Sequence, residues 1–269
     1  MLLIIPLLIV IAAYGFFAVS GSMYEFSYAC SDSALCASYG GSKKISTFST
    51  SFATSSEGRA HNVMLAASNY TWFEVGPGEE MSFNSVVGAR TADRGYKNAR
   101  VINNGVYVDG IGGGVCQVSS TLYCAWVRAG LGVKYVQGHS LPSSYCDMSQ
   151  DATVSEAIDL VLINDSDNSV FINGYTVDRK LIFDIFGATP EYSVKLRTQI
   201  LGVIPAGEDV EYVDSLPGGE LSKVVTQPKD GYRTCLIAEY YKDGNLCLSK
   251  VLRNDSYRPT DKKILMVAD

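Results

Sequence analysis

Histidine is scarce in this chain, with only His61 and His139 among 269 residues, and no stretch gathers Lys or Arg into a cluster. Acidic side chains outnumber basic ones, 28 against 22, for a formal net charge of -6. That balance lacks the basic footprint of a nucleic-acid binder, so nucleic acid is not an expected partner. The HExxH, CxxC and Walker spacings are all missing, which leaves a metal centre, a nucleotide site or any other cofactor without sequence support. With two histidines, any Cys–His chemistry has a short list of bases.

Hydrophobic residues make up 47% of the sequence, a proportion that suits packed cores, and the length allows one large domain or two modest ones. Charge is absent from Leu2 to Gly21, an almost wholly apolar run. Its length approaches a membrane span, while Ala18-Val19-Ser20 before Gly21 resembles a secretory cleavage site. A signal peptide lacks its positive n-region here, so a removable leader and a retained membrane anchor both stand. Either reading places the remainder of the chain outside the cytoplasm.

Seven cysteines leave at least one thiol unpaired in the monomer, although an exported chain can oxidise the rest. Cys235 and Cys247 look like a pair, but a two-residue hairpin at Asp243-Gly244 sets them roughly five positions out of register, about 17 Å apart at strand rise. Bridging needs Cα atoms within about 7 Å, so this pair is expected to stay unbonded.

Residues 1–21 form the export segment, and the Ser-, Gly- and Ala-rich stretch 22–46 reads as a linker. Phe48 and Phe52 among Ser and Thr suggest a half-buried strand over 45–53. A helix follows, capped by Ser55 or Ser56, with Val63, Ala66, Ala67 and Tyr70 at helical spacing. Pro77-Gly78 marks a turn, and Asn104-Gly105 between apolar runs marks a hairpin. Gly112-Gly113-Gly114 allows a sharp turn into a helix that stops at Gly130 and carries Cys116 at its start. Strands are expected at 133–136, 157–163, 170–172 and around 181–186. Beyond Gly187 alternating strands are punctuated by Pro and Gly turns, with no helix. The fold class is α+β: a mixed domain over 47–187 with a central Cys-bearing helix, then a small extended all-β module over 188–269.

A thiol acts as a nucleophile only when ionised, and a helix N-terminus with a nearby imidazolium lowers its pKa. Cys116 has that address, and three glycines permit close approach to an exposed reactive atom. A small buried structural cysteine is the competing reading. His139, in Gln137-Gly138-His139-Ser140 after a predicted strand, is the better base, since His61 falls on the first helix beside Asn62 in a surface or satisfied core role. Asp151 is placed to orient the imidazole as a third member, against the plainer reading of an exposed turn aspartate. Ser119, Ser120 and Thr121 read as solvated or capping helix residues.

These motifs, taken in order, resemble the VanW family over approximately Phe48 to Phe186. The landmarks are Arg59 with Asn62, Gly76-Pro77-Gly78-Glu79, Ser82-Phe83-Asn84, Gly88, Gly95-Tyr96, the run from Gly112 through Tyr123, Gly138-His139-Ser140, Tyr145, and Asp151-Ala152-Thr153-Val154. Cys124 and Cys146 depart from the family pattern and inherit no role. The tail from about Tyr192 to Ala268 resembles the G-five module of bacterial surface proteins through Ile204-Pro205, Val224-Val225, Gly231 and Tyr241-Lys242-Asp243-Gly244.

The resemblance implies an extracytoplasmic protein of the cell wall or cell surface, with peptidoglycan stem peptides and wall glycan as partners and the membrane as a further one if the leader is retained. It implies L,D-transpeptidation through Cys116, His139 and Asp151, with Arg59, Asn84, Gly113, Gly114, Gln117 and Ser140 toward the substrate. A cysteine peptidase or amidase of the wall, and a non-catalytic wall-binding scaffold, are the alternatives.

Overall fold

A computed structural model describes residues 42–103 and 106–268. The export-segment reading, Cys30 and Cys36 lie outside the described residues. Among the described residues no helix is long and apolar enough to cross a membrane.

Strand β1 (Lys43–Ser51) begins inside the stretch read as linker, because Lys43 already pairs with Gly187. It edges a four-stranded antiparallel sheet in the order β1-β9-β8-β2, built with β2 (Phe73–Val75), β8 (Val170–Val177) and β9 (Lys180–Gly187). Leu181, Phe183 and Ile185 of β9 are fully buried, as period-two alternation puts them on one face.

Two helices cover that face. Helix α1 (Glu57–Ser68) starts at Ser56, whose side chain accepts from the Arg59 amide, and buries Ala60, Val63, Ala66 and Ala67. A short α2 (Phe83–Val87) follows, and α3 (Val115–Arg128) packs against β1, β9 and α1. Val118, Leu122 and Trp126 of α3 are fully buried, each worth about 2 kcal/mol of removed apolar surface. The Trp126 indole donates to the Gly132 carbonyl at 2.8 Å.

Polar side chains inside this layer find partners close by. Ser46 Oγ donates to the Ala125 carbonyl at 2.7 Å, and the Thr50 and Thr121 hydroxyls share a bond of 2.8 Å. Ser119 and Ser120 are buried, not solvated: Ser119 Oγ donates to the Ala152 carbonyl at 2.6 Å, and Ser120 Oγ accepts from the Ala152 amide at 2.9 Å. They tie α3 to the segment that carries Asp151.

A second sheet runs β3-β7-β6, from β3 (Glu80–Ser82), β7 (Val161–Ile163) and β6 (Gly132–Tyr135). Here the strand expected over 157–163 is confined to its last three residues. The hairpin β4 (Asn98–Asn103) and β5 (Val106–Ile111) pairs from Asn98 with Ile111 to Asn103 with Val106. Its Asn104-Gly105 turn lies outside the described residues.

Beyond residue 187 the described chain has strands and one 3-10 turn, Pro217–Gly219. Antiparallel β10 (Ser193–Ile204), β13 (Gly231–Lys242) and β14 (Asn245–Tyr257) form one sheet. Leu236 of this sheet joins the main core, and Leu196 and Leu252 pack against it. The other sheet, β11 (Glu208–Val213), β15 (Lys262–Val267) and β12 (Ser222–Thr226), is thin, with Val210, Tyr212 and Val224 exposed. Lys242 pairs with Asn245 across the Asp243-Gly244 turn, Cys235 faces Asn254, and Cys235 and Cys247 are both free thiols. Strands dominate an α+β whole.

Candidate active site

Cys116 is the second residue of α3, so its thiol sits in the first turn at the positive end of the helix. Gly114 caps that helix at φ 108°, a conformation that costs glycine little and other residues much. Asn62 of α1 is buried behind the turn. Its Nδ2 donates to the carbonyls of Gly113 at 3.0 Å and Lys97 at 2.9 Å, while its Oδ1 accepts from the Lys97 amide at 2.8 Å. A Cβ on Gly113 would lie 2.5 Å from the Arg100 carbonyl oxygen and 2.9 Å from Ala99 Cβ. Gly113→Ala is therefore expected to cost about 2 kcal/mol, because backbone has to move. Urea unfolding should show a lower midpoint with an unchanged m value.

The half-buried Cys116 Sγ donates to the Val154 carbonyl at 3.3 Å. Burial pushes this thiol up, but hydrogen bonding and positive charge from His139, joined by the charge of Arg90, bring it below its ordinary value. His139 Nδ1 lies 2.6 Å from Asp151 Oδ2, and the same oxygen accepts the His139 backbone N–H at 2.6 Å. With Nδ1 turned to the carboxylate, Nε2 is the nitrogen left for the thiol.

Both partners are deeply placed, with side chains 9% exposed for His139 and 1% for Asp151. Burial alone would lower the imidazole, yet its hydrogen bond to Asp151 and its interaction with Cys116 raise it to about 10. Burial would raise the Asp151 carboxyl, but His139 and the Tyr257 hydroxyl hold it below the usual carboxylate value. His139 and Cys116 thus each shift the other toward its charged form, beside a buried carboxylate.

Two turns along the same helix, Cys124 is buried and pushed up to about 12 by desolvation, and burial raises Cys146 as well. One helix carries a thiol shifted toward ionisation and another shifted away from it. At pH 8, limiting iodoacetamide should modify Cys116 at least roughly tenfold faster than Cys124 or Cys146, read by peptide mass spectrometry.

The thiol opens onto a cleft of about 1400 Å³, bordered by Arg59, Gly113, Gly114, Gln117, His139 and Ser140. Arg90, Arg100 and Arg258 also line it. Arg59 donates from Nη1 to Ser55 Oγ at 2.7 Å. Gln117 is only 1% exposed and donates from Nε2 to Thr50 Oγ1 at 2.9 Å and the Ser51 carbonyl at 3.0 Å, so it braces the wall. Asn84 does not border the cleft. Its Nδ2 donates to the carbonyls of Ser155 and Ile158, and its Oδ1 accepts from Arg90 Nη2 at 2.5 Å, which holds Arg90 toward the thiol.

Three contributors lie outside the sequence motifs: Arg90, Arg253 and Tyr257. Tyr257 donates its hydroxyl to Asp151 Oδ1 at 2.6 Å, and Arg253 Nη1 donates to the Asp151 carbonyl at 2.8 Å. Nothing local to residues 253 or 257 signals this, because they come from a strand more than a hundred residues downstream of the aspartate.

Residues 58–186 match the family model described as VanW like protein, a span that holds Cys116, His139 and Asp151. The uncharacterized protein YoaR of Bacillus subtilis (strain 168) is 42% identical over 113 residues, which is 42% of this chain and 37% of YoaR. The vancomycin B-type resistance protein VanW of Enterococcus faecalis is 32% identical over 136 residues, 48% of this chain and 50% of that protein. The chain therefore spans half or less of the curated relatives it matches. Among solved structures, HP0197-G5 aligns with 29% of this chain and 99% of its own at 21% identity and a TM-score of 0.18. The IgA1 protease G5 domain aligns with 31% of this chain and 99% of its own at 12% identity and a TM-score of 0.21.

Proposed function

We propose, from the premise that residues 58–186 form a VanW-like domain, that this protein works outside the cytoplasm on the cell wall as a cysteine-dependent L,D-transpeptidase of peptidoglycan stem peptides. The observation that carries the reading is that Cys116 and His139 border one open cleft, with the His139 ring held at 2.6 Å by the buried Asp151 carboxylate behind it. Residues 47–187 are the catalytic unit in this reading. Residues 188–269, which resemble the G-five module in sequence, hold the enzyme to wall glycan.

The thiol proton passes to His139, and the thiolate attacks the carbonyl carbon that precedes the terminal D-residue of a donor stem. The peptide C–N bond breaks as His139 returns the proton to the leaving amine, and the stem remains on Cys116 as a thioester. The amine of a second stem then attacks, giving its proton to His139. The C–S bond breaks, the new amide links the stems, and the proton returns to sulfur. The positive end of α3 lowers the cost of the oxyanion in both steps. Arginine side chains on the cleft wall suit the carboxylates that stem peptides carry.

A cleft of about 1400 Å³ exceeds the roughly 300–1,000 Å³ of a single small-molecule pocket, leaving room for two peptide arms. Incubating the full chain with defined tetrapeptide-stem muropeptides should yield dimers with loss of the terminal D-residue, read by mass spectrometry. Shortened monomers without dimers would assign a wall peptidase instead. Unchanged muropeptides would leave a wall-binding scaffold and end the enzymatic reading.

A further inference from the structure

The segment that carries Asp151 is held from its far side by a sheet that the family match does not include. Each strand of that sheet makes a bond to it. From β10, Thr198 Oγ1 donates to the Met148 carbonyl at 2.5 Å. From β13, the Thr234 hydroxyl shares a bond of 2.7 Å with Ser149 Oγ. From β14, the Tyr257 hydroxyl accepts the Ser149 amide at 2.5 Å and donates to Asp151 Oδ1 at 2.6 Å.

Ser149 has φ 64°, a left-handed conformation that is costly for serine and persists where surrounding bonds enforce it. It is also fully buried. The Tyr257 hydroxyl thus bridges the strained residue on one side and the carboxylate on the other.

The same strand reaches the histidine loop. Arg253 pairs with Asp255 and caps the Asp151 carbonyl, and the Arg258 amide donates to the Ser140 carbonyl at 2.7 Å. A Cβ on Gly138 would stand 2.6 Å from Arg253 Nη2 and 2.7 Å from Asp255 Oδ1. Glycine before His139 is what lets this ion pair press on the loop.

We propose that Tyr257 and Arg253 are positioning residues of the cysteine site, and that the C-terminal sheet acts as a clamp fixing Asp151 and, through it, His139. Asp151 Oδ2 receives both the amide and the ring of His139, so its direction sets the ring. Tyr257 holds the opposite oxygen and stops the carboxylate from turning. The site is therefore complete only while β10, β13 and β14 are seated on the 147–152 segment. The inference rests on the proposed Cys116 chemistry for its purpose, while its deciding test reads the Asp151 geometry through the His139 amide.

The test uses the full chain and Tyr257→Phe, which keeps the ring and removes the hydroxyl. Amide hydrogen exchange is followed at His139, whose N–H ends on Asp151 Oδ2, and at the α3 amides as an internal standard. The His139 amide should exchange roughly tenfold faster in the variant while α3 stays unchanged, the size expected for losing a hydrogen bond to a charged group. Iodoacetamide modification of Cys116 at pH 7 should slow by a similar factor. Arg253→Lys, which keeps the charge but loses either the Nη1 bond to the Asp151 carbonyl or the Nε and Nη2 fork to Asp255, should show a smaller change in the same direction.

Equal His139 exchange in the two proteins overturns the clamp. So does a uniform acceleration across α3, which marks lost stability and not positioning; a chain that fails to fold as Tyr257→Phe leaves Arg253→Lys to decide by the same two readings. A clamp that passes in a protein that never joins or trims muropeptides removes the transpeptidase reading and leaves the positioning intact.

Discussion

Cys116→Ala is expected to abolish the proposed stem-peptide joining, with the rate falling roughly 10³-fold or more, because no neighbouring group replaces the covalent step. The fold survives the change. Cys116 is half-buried and its hydrogen bond reaches the Val154 carbonyl at the cleft edge, so the thermal midpoint should stay within about 4 °C. His139 changes with it: Cys116 is one of the groups that raise the imidazole to about 10, and its loss should bring the titration down. Muropeptide assays, thermal unfolding and NMR titration of His139 read these three consequences separately. Full joining activity in the alanine variant would remove the thioester mechanism.

Asp151→Asn has the second large effect, and it acts on rate and stability together. An amide presents an N–H where His139 or Tyr257 now finds an oxygen, and it cannot balance the imidazolium. The imidazole should titrate lower, the Cys116 thiol should ionise at higher pH, and the alkylation profile of Cys116 should move alkaline. Activity should drop roughly 10³- to 10⁴-fold, as when a triad loses its orienting carboxylate. Removing one partner of a buried pair costs about 3 kcal/mol.

That stability cost depends on pH with a definite sign. His139, raised from 6.5 to about 10, contributes stability that is complete below pH 6.5 and disappears as pH rises through 10. Asp151, lowered from 3.8, contributes stability that is complete above pH 3.8 and disappears as pH falls through its lower folded value. The gap between wild type and Asp151→Asn should therefore be widest between pH 3.8 and 6.5 and narrow on both sides. Urea unfolding across pH measures it, and a gap that keeps growing above pH 8 would show that the imidazolium–carboxylate pair is not its source.

Much of this site is written in short-range signals. Three glycines followed by an apolar-periodic stretch announce a turn into a helix, and Cys116 follows from counting. With two histidines, one of them on a helix beside Asn62, His139 is the better candidate base. The hairpin around Asp243-Gly244 fixes its own register, and that register keeps Cys235 and Cys247 apart.

Other residues mislead by their local pattern, for a common reason. Ser119 and Ser120 look like surface helix residues because hydroxyls usually face water. In this fold α3 is buried almost all round, and the backbone at Ala152 supplies the partners that water would have supplied. Asn84 belongs with the substrate by its place in a motif, yet its amide is consumed in holding Arg90 and the segment 155–158. Gln117 likewise spends its donor on β1. A side chain's polarity is visible in sequence, whereas the partner that satisfies it is not.

The amino-acid order alone determined the Cys-bearing helix start, the candidate histidine near it and the strand-rich tail, because periodicity, turn chemistry and capping act over a few residues. Only the tertiary structure decided that Asp151 is a buried partner of His139 and not an exposed turn residue, and that Tyr257 and Arg253 bond to it. Those contacts close loops of more than a hundred residues, and whether such a loop closes is settled by the packing of β10, β13 and β14 against the core, which no local pattern records.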